Sequence, residues 1–510
     1  MDWAGDKVPR AMSTQHPDNA VPPPWCRGEV VQGEDEVWEA YYAYSQLGCE
    51  EVMWDSEGKD VDVHVVRKLL ASHPGFFKEK VLGEDLYLTY RIPNPKIERA
   101  ERKTVVETLL NIAVGCDVAT EFYGRPVAPV FEVILPFTKS SEEAVGIYDY
   151  YRALAAHAES TKHRLAEWVG WFRPREVNVI PLIEDAPSLM AADSIVEPYA
   201  KHAGRRGVRV FIARSDPALN YGLPCAVALA KLALSKLKKL SDRRVEAYPI
   251  IGVGSLPFRG GLAPHRLAAF LEEYRGVYTV TVQSALKYDW PGEEAKRTVE
   301  ELKRRLPSGE AIELSSEEAL VRAACKLREA YEEEVEGLAG LVNRVAMYVP
   351  ARRARRLHIG LFGYSRGLRG VTLPRAIPFT CAMYSLGAPP ELLGLRGLAE
   401  LSEEEWRALE EAYVNLRLDI EEAARYVSLR NLELLRGLEE FKEAWGALSL
   451  VEEDLRAVED QLGVKLGPRS PAERRHENAV NSFLLALVEG DDEAARRHLL
   501  EAARIRRSLG

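Results

Sequence analysis

The sequence is poor in cysteine and in side-chain amides. Its six cysteines are scattered over 510 residues without a CxxC pair, a pattern that disfavours a structural zinc site and fits a reducing compartment. Only five Gln and ten Asn accompany 68 basic and 78 acidic residues. Few thermolabile amides and many charges are typical of hyperthermophile chains. A GC-rich genome that favours Arg, Ala and Gly codons would explain the same bias, and both readings stay open.

The sequence also lacks the features of a membrane, secreted or nucleic-acid-binding protein. The start MDWAGDKVPR has no apolar signal-peptide core, and no run of eighteen apolar residues occurs, so neither a signal peptide nor a membrane span is expected. The net charge of −10 is opposite in sign to the basic excess of general nucleic-acid binders. We therefore expect a cytoplasmic globular protein without a nucleic-acid or membrane partner.

What is present is an alternation of β-rich and helical segments over residues 1–290. Several β-rich segments are continuous apolar runs, such as VFEVIL and VRVFIA, as expected of parallel strands buried on both faces. Eight strand–helix units predict an α/β fold, a (β/α)8 TIM-type barrel that forms the catalytic domain. The predicted strands are Arg10–Thr14, Glu50–Trp54, Asp85–Tyr90, Pro129–Leu135, Glu176–Ile183, Val208–Ala213, Ala247–Val253 and Tyr278–Val282.

Residues 291–510 are predicted to form a large all-α part. Their apolar residues recur at helical spacing, behind serine caps and acidic first turns. A segment near 358–390 interrupts this pattern and is rich in Gly, Arg and Pro. Such a basic stretch between packed helices favours a functional, active-site loop over a linker.

Polar residues follow the predicted strands at the end of the barrel where such enzymes build their active sites. Glu184 and Asp216 end neighbouring strand segments, and two carboxylates with water and substrate oxygens suit Mg²⁺ or Mn²⁺. Either acid could instead cap the next helix. His16 could shuttle a proton, with Asp18 as a possible orienting partner; its alternative is a structural role.

Arginines on the same rim suit a phosphorylated substrate. Arg91 and Arg259, with Arg366 and Arg369 from the glycine-rich loop, could converge on a phosphate, which guanidinium groups match in a bidentate way. Gly260 offers a backbone N–H to an anion, and Gln283 follows the eighth strand. The alternative to phosphate binding is that these arginines are ordinary surface residues in contact with solvent.

Seven segments together resemble the archaeal-type phosphoenolpyruvate carboxylases, in the same order along the chain. They are STQHPDN (Ser13–Asn19), LTYRIPNP (Leu88–Pro95), PLIEDAPSLM (Pro181–Met190), ARSDPALNYG (Ala213–Gly222), GVGSLPFRGG (Gly252–Gly261), TVQSALKYD (Thr281–Asp289) and LPRAIPF (Leu373–Phe379). The resemblance implies a metal-dependent enzyme, a homotetramer, that converts phosphoenolpyruvate and bicarbonate into oxaloacetate and phosphate through carboxyphosphate and an enolate.

The resemblance also implies roles for individual residues. Glu184 and Asp216 match the metal-binding carboxylates, His16 matches the essential histidine, and Arg91 and Arg259 match arginines around the phosphate. The stretch Arg366–Arg369 resembles a mobile active-site loop, while Arg375 lies in a similar segment without an assigned contact. The pattern departs at Pro257, where the longer members of the family have a second histidine.

Three other functions are compatible with parts of the sequence. A metal-dependent barrel lyase or aldolase acting on pyruvate-like acids would share Glu184 and Asp216 but would not need the arginines. The stretch ARRARRL (Ala351–Leu357) could be a nucleic-acid patch, although it lacks interleaved aromatics. A catalytically inactive scaffold is the third alternative, and the intact rim chemistry disfavours it.

Overall fold

Eight parallel strands form a closed barrel in which each strand pairs with its neighbours in sequence. The computed structural model describes residues 3–59, 61–160, 168–170, 172–355, 367–368 and 370–510. The first strand pairs with the eighth, with Met12 opposite Thr281, and this pairing closes the barrel. The strands are β1 Ala11–Ser13, β2 Glu51–Asp55, β3 Tyr87–Arg91, β4 Glu132–Leu135, β5 Asn178–Ile183, β6 Gly207–Ala213, β7 Glu246–Gly252 and β8 Thr279–Val282.

All eight predicted strands are confirmed, in the predicted order. The largest difference in a boundary is at β4, which begins at Glu132 rather than at Pro129. Strand β6 is buried along its whole length, because a parallel barrel covers its strands with side chains inside and helices outside. This burial on both faces explains the continuous apolar runs in the sequence.

The interior of the barrel is filled at its N-terminal end. There the buried Arg209 donates to Glu51 (Nη2–Oε2 2.6 Å) and to Glu132 (Nη1–Oε2 3.1 Å), and Trp3 Nε1 donates to Glu132 Oε1 at 2.7 Å. An apolar layer lies above this ionic layer and includes Met53 and Phe211. Both layers block that end, so the C-terminal ends of the strands are left to line a cavity.

Twelve helices accompany the barrel strands among the described residues. They are α1 Glu34–Ser45, α2 Val65–Ser72, α3 Pro74–Glu79, α4 Thr104–Tyr123, α5 Ser141–Ser160, α6 Ala186–Met190, α7 Ala192–His202, α8 Ser215–Tyr221, α9 Leu223–Lys238, α10 Leu267–Glu273, α11 Ser284–Tyr288 and α12 Gly292–Arg305. The segments between strands are therefore helical, as the sequence pattern predicts.

In the rest of the described chain the regular elements are helices, together with one short hairpin, β9 Gly367–Leu368 with β10 Val371–Thr372. Its helices are α13 Glu317–Ala346, α14 Ala376–Leu386, α15 Glu403–Ala412, α16 Leu416–Ala424, α17 Leu429–Gly437, α18 Trp445–Leu462, α19 Pro471–Glu489 and α20 Asp492–Arg506. The predicted serine caps are confirmed at α13 and α15, and Ser470 caps α19 in the same way.

The helical part packs directly on the barrel. Helix α13 packs against α9, and one buried apolar cluster includes residues from both sides of position 290. The division of the chain into domains at that position therefore stays a prediction. Among the described residues, no helix combines the length and the apolar character that crossing a bilayer requires.

Candidate active site

A cavity lies at the C-terminal end of the barrel and gathers side chains from loops far apart in sequence. Polar residues from the ends of β1, β2, β3, β5, β6, β7 and β8 line it, together with residues at the start of α14. The polar lining residues are His16, Glu57, Arg91, Glu184, Arg214, Ser215, Asp216, Arg259, Gln283 and Arg375. The structure therefore brings six of the predicted site residues, His16, Arg91, Glu184, Asp216, Arg259 and Gln283, to one place.

Three carboxylates share one region of this cavity. Burial raises the pKa of Glu184 well above its usual range, and the negative charges of Asp216 and Glu57 raise it further. Glu184 Oε2 accepts a hydrogen bond from Phe137 N at 2.7 Å, and Phe137 has a left-handed backbone (φ 52°), which is uncommon for a bulky residue. The hydrogen bond from Phe137 thus holds Glu184 in place, although the neighbouring acids disfavour its charged form.

The donor set of this centre fits a hard divalent cation. Buried carboxylates that repel one another are stabilised by a shared cation, and oxygen ligands suit Mg²⁺ or Mn²⁺. Within the described ranges, no group of three or more His, Cys, Asp or Glu side chains is arranged to hold a metal. Glu184 and Asp216 would therefore share a cation with water and substrate oxygens.

Arg91 is held in the cavity wall by carboxylates at the end of β2 and just after it. Its Nε and Nη2 donate to the two carboxylate oxygens of Asp55 at 2.6 and 2.7 Å, and its Nη2 lies 3.3 Å from Glu57 Oε2. This bidentate pairing fixes the plane of the guanidinium. Asp55 also forms a buried ion pair with Lys59, so two cations share one carboxylate.

Arg259 is more completely enclosed. It donates four hydrogen bonds within the protein, to Asp18 Oδ2 (3.3 Å), the Gly510 carbonyl (2.7 Å), Gln283 Oε1 (2.6 Å) and Ser215 Oγ (3.3 Å). A guanidinium has five N–H groups, so bidentate binding of a phosphate would require one of these partners to move. Burial also lowers the pKa of Arg259.

His16 lies beside Thr14, with its Nδ1 2.7 Å from the hydroxyl oxygen Oγ1. The expected partner Asp18 instead accepts hydrogen bonds from Arg259 and from Ala285 N. Burial lowers the pKa of His16 well below its usual value, and the positive charges of neighbouring Lys and Arg side chains, Lys59 foremost, lower it further. The imidazole is therefore neutral at neutral pH and can accept a proton.

Gly260 has a different environment from the one predicted. It is not among the residues that line the cavity, and its N–H donates to the Pro257 carbonyl at 2.9 Å. Its φ is 116°, and a Cβ atom there would collide with the side chain of Val253. Glycine at this position allows a tight turn, so it shapes the loop. Arg366 and Arg369 lie outside the described residues.

The arginine-rich stretch that could have bound nucleic acid is partly buried within the chain. Arg353 donates to Glu36 (2.8 Å) and to Glu39 (2.5 Å), while Arg352 donates to the Ala20 carbonyl at 3.1 Å. Both side chains are almost fully buried. They anchor the chain after α13 to the N-terminal segment that follows His16.

The sequence analysis assigned no role to four polar residues that line the cavity, Glu57, Arg214, Ser215 and Arg375, or to the buried Lys59 beside it. Glu57 and Lys59 follow β2 closely, so the rule that selected the other rim residues could have found them. Arg375 immediately precedes α14 and lines the cavity, although the sequence analysis assigned it no contact. Arg375 reaches the cavity because the helical part packs over the barrel, and no local sequence pattern predicts that packing.

Comparisons with known proteins agree on one family. A family model described as phosphoenolpyruvate carboxylase matches residues 8–510. The curated proteins named phosphoenolpyruvate carboxylase from Caldivirga maquilingensis and Metallosphaera sedula are 46% and 45% identical, and each alignment covers 99% of this chain and 99% of the relative. A third protein with that name, from Picrophilus torridus, is 43% identical with the same coverage.

Proposed function

This chain belongs to the phosphoenolpyruvate carboxylase family, and we propose that it forms oxaloacetate and phosphate from phosphoenolpyruvate and bicarbonate. The observation that carries the proposal is the cavity in which His16, three acidic side chains and several arginines meet. An anionic phosphorylated acid needs cationic partners, and carboxylation needs a proton acceptor and a centre that stabilises an enolate.

The arginines are proposed to bind and orient the substrate. Arg91 and Arg259 would neutralise the phosphoryl group while a bicarbonate oxygen attacks phosphorus, which yields carboxyphosphate and the enolate. Arg91 is pre-oriented by Asp55, so little conformational freedom is lost when substrate binds. A divalent cation held by Glu184 and Asp216 would supply Lewis-acid stabilisation of the developing negative charge.

His16 is proposed to accept the proton of carboxyphosphate. Loss of that proton releases CO₂ next to the enolate carbon, where the new carbon–carbon bond forms. A neutral imidazole is required for this step, and burial among cations keeps the pKa of His16 low. The apolar residues of the lining, such as Phe211 and Ile377, would limit the access of water to the enolate.

Three finer features belong to the same proposal. We place the enzyme in the cytoplasm, which its six unpaired cysteines support. The metal is proposed to be Mg²⁺ or Mn²⁺. The assembly is proposed to be a homotetramer, and light scattering after size exclusion would test it by the mass of the particle.

A coupled assay tests the function directly. The purified protein is supplied with phosphoenolpyruvate and Mg²⁺, and oxaloacetate is detected by its reduction with malate dehydrogenase and NADH. We expect a rate that requires both bicarbonate and the divalent cation. Cleavage of a keto acid in place of bicarbonate-dependent oxaloacetate formation would identify a lyase or aldolase instead.

A further inference from the structure

The turn that carries Arg259 is held by two side chains that lie outside the turn. This turn is the 3₁₀ segment Pro257–Arg259, which follows β7. From the barrel side, Arg214 lies near the carbonyls of Phe258 (Nη1–O 3.4 Å) and Pro257 (Nη2–O 3.5 Å). From the helical part, Glu391 Oε1 accepts a hydrogen bond from Phe258 N at 3.1 Å.

Glu391 reaches the turn from more than 130 positions further along the chain. It lies in the 3₁₀ segment Pro390–Leu392 after α14 and has no exposed surface. Its Oε1 also accepts a hydrogen bond from the hydroxyl of Tyr384 at 2.9 Å. Its Oε2 has no hydrogen-bond partner among the described residues. Phe258 itself stacks on Phe379 of α14, with 5.8 Å between the ring centroids.

This environment is costly for a carboxyl group. Burial raises the pKa of Glu391 to about 7, and the nearby charge of Glu422 also raises it, while the hydrogen bonds from Phe258 N and the Tyr384 hydroxyl lower it. Burying a carboxyl group costs free energy, and this one keeps one oxygen without a hydrogen-bond partner among the described residues. Its contact with the turn of Arg259 therefore calls for an explanation other than stability.

We propose that Glu391 is a positioning residue, which holds the Pro257–Arg259 turn so that Arg259 is placed for the phosphate of the substrate. This inference rests on the proposed function, since that function gives Arg259 its role. Arg259 has hydrogen bonds to residues that follow three other strands, β1, β6 and β8, so a small shift of the turn would disturb several contacts at once. Displacements of about 1 Å in a site can cost about 100-fold in rate.

Three replacements of Glu391 test the proposal. Glu391→Gln keeps an oxygen acceptor at the same reach, so KM for phosphoenolpyruvate should stay within about twofold of the wild-type value. Glu391→Leu leaves Phe258 N–H buried without an acceptor, and Glu391→Asp withdraws the acceptor by one methylene. Both should raise that KM by about tenfold, the effect of a cost of about 1.4 kcal/mol. The KM for bicarbonate should change less.

Asn431→Leu is the matched structural control. Asn431 is fully buried in the helical part, and its amide donates to the carbonyls of Ser385 (3.3 Å) and Val480 (3.1 Å). Its replacement removes buried hydrogen bonds without touching the turn, so stability should fall while KM for phosphoenolpyruvate stays unchanged. An equal rise in KM in this variant would overturn the proposal, and so would a wild-type KM in Glu391→Asp.

Hydrogen exchange provides a readout that does not depend on activity. The amide of Phe258 should exchange faster in the Leu and Asp variants than in the wild type and the Gln variant, because only the latter two keep its acceptor. Unchanged exchange in the Asp variant would overturn the role of Glu391 even in an active enzyme. A wild-type protein that forms no oxaloacetate would instead overturn the proposed function, and exchange would still report on the turn.

Discussion

The chemistry of single residues depends on what surrounds them more than on their type. His16 is expected to act as a base because it is partly buried next to Lys59 and several arginines, which disfavour its protonated form. Glu184 is expected to bind a cation because it is buried next to other acids. The following predictions each change one such neighbour or one such group.

Replacing His16 with Asn removes the proposed proton acceptor. We expect oxaloacetate formation to fall by roughly 10²–10⁴-fold, the usual contribution of a general acid–base group. Bicarbonate-dependent phosphate release should persist, since it precedes the proton transfer. His202→Asn, at an exposed histidine that pairs with Asp149, is the control and should be fully active. Normal carboxylation by the His16 variant would remove His16 from the mechanism.

Replacing Lys59 with Met tests the electrostatic origin of the pKa of His16. Lys59 lowers that pKa, so its removal should raise it. Activity that needs neutral His16 is lost as pH falls through the pKa, so the acid limb of kcat/KM should move to higher pH. Lys59→Arg keeps the charge and should leave the limb near its wild-type position. Identical profiles for the Met variant and the wild type would contradict this account.

Replacing Glu184 with Gln tests the acidic centre without an activity assay. A raised carboxyl pKa in the folded state means that stability falls as pH rises from the ordinary value of 4.5 towards the folded pKa. The variant should therefore melt at a higher temperature than the wild type at pH 8 without metal, and this difference should shrink at pH 5. Mg²⁺ should raise the melting temperature of the wild type only.

The control for this prediction is Asp185→Asn. Asp185 lies next to Glu184 in sequence, but its side chain caps α6 by accepting from Ser188 N at 2.9 Å. This variant should keep the response to Mg²⁺. A normal response in Glu184→Gln as well would reject Glu184 as a ligand.

At the scale of elements, local sequence carries most of the information. Strands of a closed parallel barrel are covered on both faces, so continuous apolar runs identified several of them, and the alternation with helical segments indicated the others. Helix starts were marked by serine and glutamate, as at Ser402 and Glu405, which form a capping box at α15. Contacts between distant elements have no such local sequence signal. Only the structure shows that Thr14 lies beside His16, that Arg375 lines the cavity and that Glu391 contacts the turn.

The capping box of α15 gives a prediction at this scale. Ser402→Ala removes the acceptor for Glu405 N (3.3 Å) and should lower the free energy of unfolding by about 1 kcal/mol. Ser402→Asp can still cap the helix and should lose less. Both are read from urea unfolding curves. Equal losses in the two variants would show that the cap contributes little.

At the scale of the whole molecule, the barrel and the helical part together make the site. The barrel provides the acids, His16 and Arg91, while the helical part brings Arg375 to the cavity and packs the Gly510 carbonyl against Arg259. Neither part alone contains all of the residues that line the cavity. A sequence-based division into a catalytic barrel and a helical region therefore understates the contribution of the helical region to the site.

The central claim is that bicarbonate and phosphoenolpyruvate react with each other in this cavity, and oxygen labelling tests it most directly. With bicarbonate carrying ¹⁸O in all positions, attack on phosphorus transfers one labelled oxygen to phosphate and leaves the others in the new carboxylate. Mass spectrometry of early products should show singly labelled phosphate with labelled oxaloacetate. Unlabelled phosphate, released with pyruvate and without oxaloacetate, would contradict the account.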